Sequence, residues 1–158
     1  MAINNTQKIK TAFHLFGLWA GKPIKDTYGN KAVINFNKRP LFAELAALEI
    51  YKTHNYYGVW VDTYRKCFRI GLPEEYEPIT LPTDINRKFE KILLENGGPK
   101  GAWDLLLWKN QELKFVELKR KKKDKIRQNQ IQFLNSALKV GYDIEDFEIF
   151  EWDIKKSK

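Results

Sequence analysis

The sequence predicts an α/β fold, a central mixed β-sheet flanked by helices, and three observations lead there. From Pro40 onward, stretches with apolar residues at helical spacing alternate with short β-branched and aromatic runs, in the order helix, strand, helix, strand, strand, helix, strand. The two consecutive runs are separated only by the polar residues Lys109, Asn110, Gln111 and Glu112, a hairpin signature. The chain has 158 residues, 43% of them hydrophobic, enough for one domain to bury a core without disulfides or a structural metal.

Taken in order, residues 6–20 read as a helix, with 12–21 as its buried part. Residues 31–36 set Ala32, Ile34 and Phe36 against Lys31 and Asn35 after the turn residues Tyr28, Gly29 and Asn30, which predicts a short strand. These first 40 residues form an extension to a core over residues 41–152, within a single domain spanning 1–158. Behind Pro40, Leu41, Leu45, Leu48 and Tyr51 share a helical face with Glu44 close to it. Residues 57–64, YGVWVDTY, predict a strand, and a Pro-bearing loop follows. Thr83 or Asp84 can cap a helix carrying Ile85, Phe89, Ile92 and Leu93, which Gly97 and Gly98 end. The runs 104–108 and 113–118 make the hairpin, a helix covers about 125–140 up to Gly141, and a last strand spans about 145–152.

Composition narrows the function. With 30% charged residues and an apolar stretch at 12–21 too short to span a bilayer, the chain is expected to be soluble and intracellular, with no membrane partner. The one cysteine, Cys67, excludes an internal disulfide and a cysteine-built zinc cage and reads as a strand thiol. His14 and His54 lack partners at zinc-ligand spacing, and there is no Gly-rich phosphate loop. The formal net charge of +8 favours a polyanionic partner. Much of that charge lies between residues 114 and 127, where Arg120, Lys121, Lys122 and Lys123 form a run able to grip nucleic-acid phosphates. Tyr56, Tyr57, Trp60, Trp103 and Trp108 could stack on bases but are read as core aromatics.

Three ionisable residues stand in otherwise apolar strands: Asp104 opens one arm of the hairpin, and Glu117 and Lys119 sit two apart on the other. Alternation puts Glu117 and Lys119 on one face, and pairing of the arms brings Asp104 beside them. Two carboxylates at the edge of a core are unfavourable unless compensated. Mg²⁺ or Mn²⁺ compensates them, since hard oxygen ligands suit these ions and their bound water is the nucleophile of phosphodiester hydrolysis. Lys119 could then orient the attacking water and offset charge on the phosphate.

The runs GAWDLLLW at 101–108 and FVELK at 115–119, followed by Asn129, Gln130, Phe133 and Gly141, resemble the VRR-NUC branch of the PD-(D/E)xK nucleases. That family's core has a Gly-x-Pro-Asp turn, an apolar strand, Val-Glu-x-Lys and a Gln-bearing helix. The likeness extends over about residues 41–152 and is strongest from Gly98 onward; Trp103 stands where the family has proline, and the segment 63–98 is longer than in the smallest members. The resemblance implies a restriction-endonuclease-like core. In it Asp104, Glu117 and the Leu118 backbone carbonyl would hold the metal, Lys119 would serve the water, and Gln130 would position the phosphate or Lys119. A further acid on the early helix would complete the site: Glu44 stands at the family's spacing before Trp60, and Glu49 five residues closer.

The expected activity is therefore endonucleolytic hydrolysis of DNA by one or two Mg²⁺ or Mn²⁺ ions. Stand-alone members of the family are homodimers that cut branched DNA such as four-way junctions, as in Holliday junction resolvases, and a two-fold dimer supplies the two sites that paired cutting needs. Two other readings stay open on sequence alone: a sequence-specific restriction-type nuclease, and a non-catalytic basic module that binds nucleic acid.

Overall fold

The computed structural model describes residues 9–156. One mixed eight-stranded sheet carries helices on both faces, and the strands run in the spatial order β3-β2-β1-β8-β7-β6-β4-β5. Along the chain the elements are β1 (Lys10–Leu18), β2 (Ile34–Phe36), β3 (Arg39–Leu41), α1 (Ala43–Lys52), β4 (Tyr57–Asp62), β5 (Cys67–Arg69), α2 (Thr83–Asn96), β6 (Leu105–Lys109), β7 (Glu112–Arg120), α3 (Gln128–Lys139) and β8 (Phe147–Ile154). From Pro40 on, the predicted order stands, with two short strands added. Among the described residues no helix is long and apolar enough to cross a membrane.

The helix expected over residues 6–20 is a correction: residues 6–8 lie outside the described part, and 10–18 form strand β1, paired in parallel with β8 from Lys10 opposite Glu148 to Phe16 opposite Ile154. Both faces of β1 carry apolar side chains, so the period of two is invisible in hydrophobicity. It shows in burial instead, with Phe16 buried while Phe13 and Leu15 are 44% and 51% exposed. The strand expected at 31–36 is confined to Ile34–Phe36.

Alternation along the central strands sorts their apolar side chains into two cores. Leu105, Leu107, Val116, Leu118 and Trp60 face α1, whose Leu45, Ala46 and Leu48 meet them. Leu106, Leu113, Phe115, Val59 and Val61 face the other way, toward Ile85, Phe89 and Ile92 of α2 and Phe133, Leu134 and Ala137 of α3. The helix α2 starts at Pro82 without a side-chain cap, in place of the expected Thr83 or Asp84, and ends at Gly97 in the left-handed conformation (φ 78°).

One polar cluster lies within the α1 side of the sheet. Asp62, 2% exposed, accepts a 2.7 Å bond from Arg69 Nε and another from the Tyr28 hydroxyl. Burial alone would raise the Asp62 carboxyl, but these donors hold it below the usual range, so it stays charged and paired.

Candidate active site

The site lies where β6 and β7 part. Their register runs from Lys109 opposite Glu112 to Leu105 opposite Val116, and Asp104 stands one residue beyond the last pair. The hairpin places Asp104 against the continuing β7, and the two carboxylates are cross-tied there. The Asp104 N–H donates to Glu117 Oε1 at 3.1 Å, and the Leu118 N–H donates to Asp104 Oδ2 at 2.9 Å. In an extended strand a residue's N–H and C=O point to the same side, so the Leu118 carbonyl also faces the gap that β6 leaves.

Glu117 follows Phe115 on the face toward α3, and Lys119 lies beyond it. Lys119 Nζ is 3.2 Å from Glu117 Oε2 and donates to Gln130 Oε1 at 3.1 Å and to the Lys125 carbonyl at 2.7 Å. Gln130, 3% exposed, sits in the first turn of α3. Its Nε2 donates to Glu117 Oε2 at 2.5 Å, and its Oε1 also accepts the Arg127 N–H at 2.9 Å. One amide therefore fixes the relative positions of the acid, the lysine and the start of α3. Four expected residues, Asp104, Glu117, Lys119 and Gln130, are thus joined in one hydrogen-bonded group.

The turn before Asp104 is held from beneath. Trp103, 1% exposed, donates from Nε1 to the Gln130 carbonyl at 3.0 Å and stands edge-on to Phe147 at 4.9 Å. Side-chain anchoring here takes the place of the fixed φ that a proline would give. Gly101 has φ 83°, and a Cβ there would lie 2.0 Å from the Asn129 carbonyl oxygen. Gly101→Ala is expected to push the turn off α3 and lower stability by about 1–2 kcal/mol, since the residue would need both a left-handed backbone and occupied space. Chemical denaturation measures this; an unchanged midpoint would refute the tight approach.

Of the two candidate acids on α1, Glu49 pairs with Arg39 at 3.1 Å on the surface. Glu44 is the one whose charge bears on Asp104. Burial pushes the Asp104 carboxyl well above the ordinary carboxylate range, and Glu117 and Glu44 push it further; the Leu118 N–H and Lys31 pull the other way and lose. Burial raises Glu117 as well, against the ammonium of Lys119. The site is acid-rich and short of positive charge.

That shortage fits a divalent cation. Two carboxylates and a carbonyl directed at the same gap are hard oxygen donors, suited to Mg²⁺ or Mn²⁺, which complete their shell with water. Among the described residues no group of three or more His, Cys, Asp or Glu side chains is arranged to hold a metal, so any ion here depends on the carboxylate pair, the backbone and water. Asp104 and Gln130 line a cleft of about 380 Å³ together with Val61, Thr63, Gly101 and Arg127. The cleft is large enough for a phosphate group.

Sequence reasoning missed Lys31, which donates to Glu44 Oε2 at 2.7 Å, and Arg127 at the cleft. Arg127 belonged to a basic run that was legible; nothing local marked Lys31. Of the basic run, Arg120 bonds Asp153 at 3.2 Å and lies over the Trp152 ring, while Lys121, Lys122 and Lys123 are exposed in the turn after β7. Trp60 and Trp103 are core, whereas Tyr57 is 72% exposed, a departure from the expected burial. A comparison with protein families, curated proteins and solved structures found no match.

Proposed function

We propose that this chain is a metal-dependent endonuclease that hydrolyses DNA phosphodiester bonds, built on a restriction-endonuclease-like core and allied to the VRR-NUC nucleases. The observation that carries the reading is the cross-tied pair Asp104 and Glu117, strained by like charge and burial, with Lys119 and Gln130 bonded beside it. A structural cluster in a core would pair each of its acids with a base; here Glu117 has Lys119 and Glu44 has Lys31, while Asp104 is open to a cleft and has no salt-bridge partner among the described residues.

Asp104, Glu117 and the Leu118 carbonyl would hold the ion. Mg²⁺ or Mn²⁺ bound there supplies Lewis acidity and makes water a stronger acid at neutral pH. Lys119, oriented by Gln130 and the Lys125 carbonyl, presents a fixed ammonium to the attacking water and to the charge that grows on the phosphate. Gln130 keeps Glu117 and Lys119 in register. Lys121, Lys122 and Lys123 bind the DNA backbone and carry no sequence readout. Branched DNA is the proposed substrate class and a homodimer the working unit, because two sites related by a two-fold axis deliver paired cuts.

The test compares wild type with Lys119→Ala on labelled four-way junction, flap and linear duplex DNA, with Mg²⁺, Mn²⁺ or EDTA, while DNA binding is followed separately. Expected are metal-dependent cutting of branched DNA and a loss of about 10²–10³-fold in the variant, as for removal of one donor to developing charge, with binding retained. DNA binding without cleavage in any metal would replace the nuclease reading with a binding module. Site-specific cutting of linear duplex would indicate a restriction-type enzyme.

A further inference from the structure

Lys31 lies in the loop between β1 and β2, far from the hairpin in sequence, yet its side chain reaches Glu44, and the charges of both bear on Asp104. Nζ stands 2.7 Å from Glu44 Oε2 and over the rings of Tyr28 and Trp60, at 5.5 and 5.4 Å from their centroids. The pair is sheltered, with side-chain exposures of 28% for Lys31 and 12% for Glu44. Three residues in the left-handed region, Tyr28, Gly29 and Asn30, form the turn that delivers it, closed by the Lys31 N–H to the Thr27 carbonyl at 2.8 Å. An ammonium between an acid and two aromatic faces is held by charge and by the rings together.

The acids of the site therefore have a lysine on each flank, Lys119 beside Glu117 and Lys31 beside Glu44. Beyond Asp104 and Glu117, Glu44 is the acid whose charge bears on the pair, so a second divalent ion would have to draw on it, and that carboxylate is already engaged by a fixed positive charge that repels an incoming ion. We infer that Lys31 is a tethered cation occupying the place of a second divalent ion, so that the site takes a single Mg²⁺ or Mn²⁺. This inference rests on the nuclease reading of the Asp104 and Glu117 pair and assigns to Lys31 the choice between one-ion and two-ion chemistry.

Mn²⁺ binding to the full chain without DNA, counted by the loss of the free-ion electron paramagnetic resonance signal, tests it apart from activity. One ion per chain is expected in wild type and in Lys31→Arg. Two are expected in Lys31→Met, which keeps the stem between the rings and removes the charge, and one again in Lys31→Met combined with Glu44→Gln. Two ions in wild type, a count that needs no variant to fold, would overturn the inference while leaving the nuclease reading intact, as would one ion in a folded Lys31→Met. No ion in wild type would remove the metal site itself, and both readings with it.

Discussion

Asp104→Asn is expected to abolish metal-dependent cleavage and, in the metal-free protein, to raise stability. Asparagine keeps the shape and can still accept the Leu118 N–H, but it removes one charged donor of the proposed metal site. Metal-ion catalysis supplies several kcal/mol at the transition state, and at 1.36 kcal/mol per tenfold the loss is about 10⁴-fold. The stability gain comes from relieving burial and the repulsion by Glu117 and Glu44. The pH dependence gives the sign. A carboxyl raised in the folded state binds its proton more tightly there than when unfolded, so it stabilises at low pH and loses that contribution as pH rises through the raised value. Between the ordinary carboxylate range and that raised value, metal-free wild type should lose stability with rising pH relative to Asp104→Asn. Urea titrations of both proteins across that window in EDTA measure the difference; parallel curves would mean that Asp104 is not strained.

Trp103→Ala is expected to lower stability by about 3–5 kcal/mol, the range for deleting a fully buried large aromatic. The indole touches Phe147 at the start of β8 and bonds the Gln130 carbonyl at the start of α3, so its removal opens a cavity and frees the turn that aims Asp104. At about 2–4 °C per kcal/mol for a domain of this size, Tm should fall by about 6–20 °C. Thermal melts followed by circular dichroism check this. Trp103→Phe separates the two roles, keeping most of the packing while leaving the carbonyl without its indole donor, and should fall between wild type and Ala.

How much of this was legible follows from which forces are local. Helix α1 was readable because Leu45 and Leu48 recur at helical spacing, and the β6–β7 hairpin because Glu117 and Lys119 interrupt, at a spacing of two, an apolar run buried on both faces of the sheet. Strand β1 was not readable, since Phe13 and Leu15 on its outer face are as apolar as Phe16 on its inner one. The three-residue strands β3 and β5 are too short to show any period; they exist because Ile34 and Trp60 offer neighbouring strands for Leu41 and Arg69 to pair with.

In the site, the residues on one hairpin and one helix could be listed from the sequence, because spacing along a strand fixes facing. Their bonds could not. That Gln130 would bridge Glu117 and Lys119 depends on how α3 lies across β7, and that Lys31 would reach Glu44 depends on a turn with three left-handed residues. Trp103 was visible only as a departure from proline; its anchoring partners, Phe147 and the Gln130 carbonyl, are remote in sequence.

The parallel pairing of β1 with β8 sets an order of events during synthesis. The partner of Lys10 is Glu148, so β1, made before the other described strands, has only its short pairing with β2 beside it until β8 has left the ribosome. Strands β2 and β3 reach the main sheet only through β1. The hairpin, α2 and α3 can meanwhile assemble from contacts close in sequence, and the β1–β8 pairing, which closes the longest loop, is expected to form late. The two flanks of the acidic site thus draw on different parts of the chain: Lys119 is placed with the hairpin and α3, whereas Lys31 comes with the loop that Tyr28 and Asp26 tie to Asp62 and Arg65.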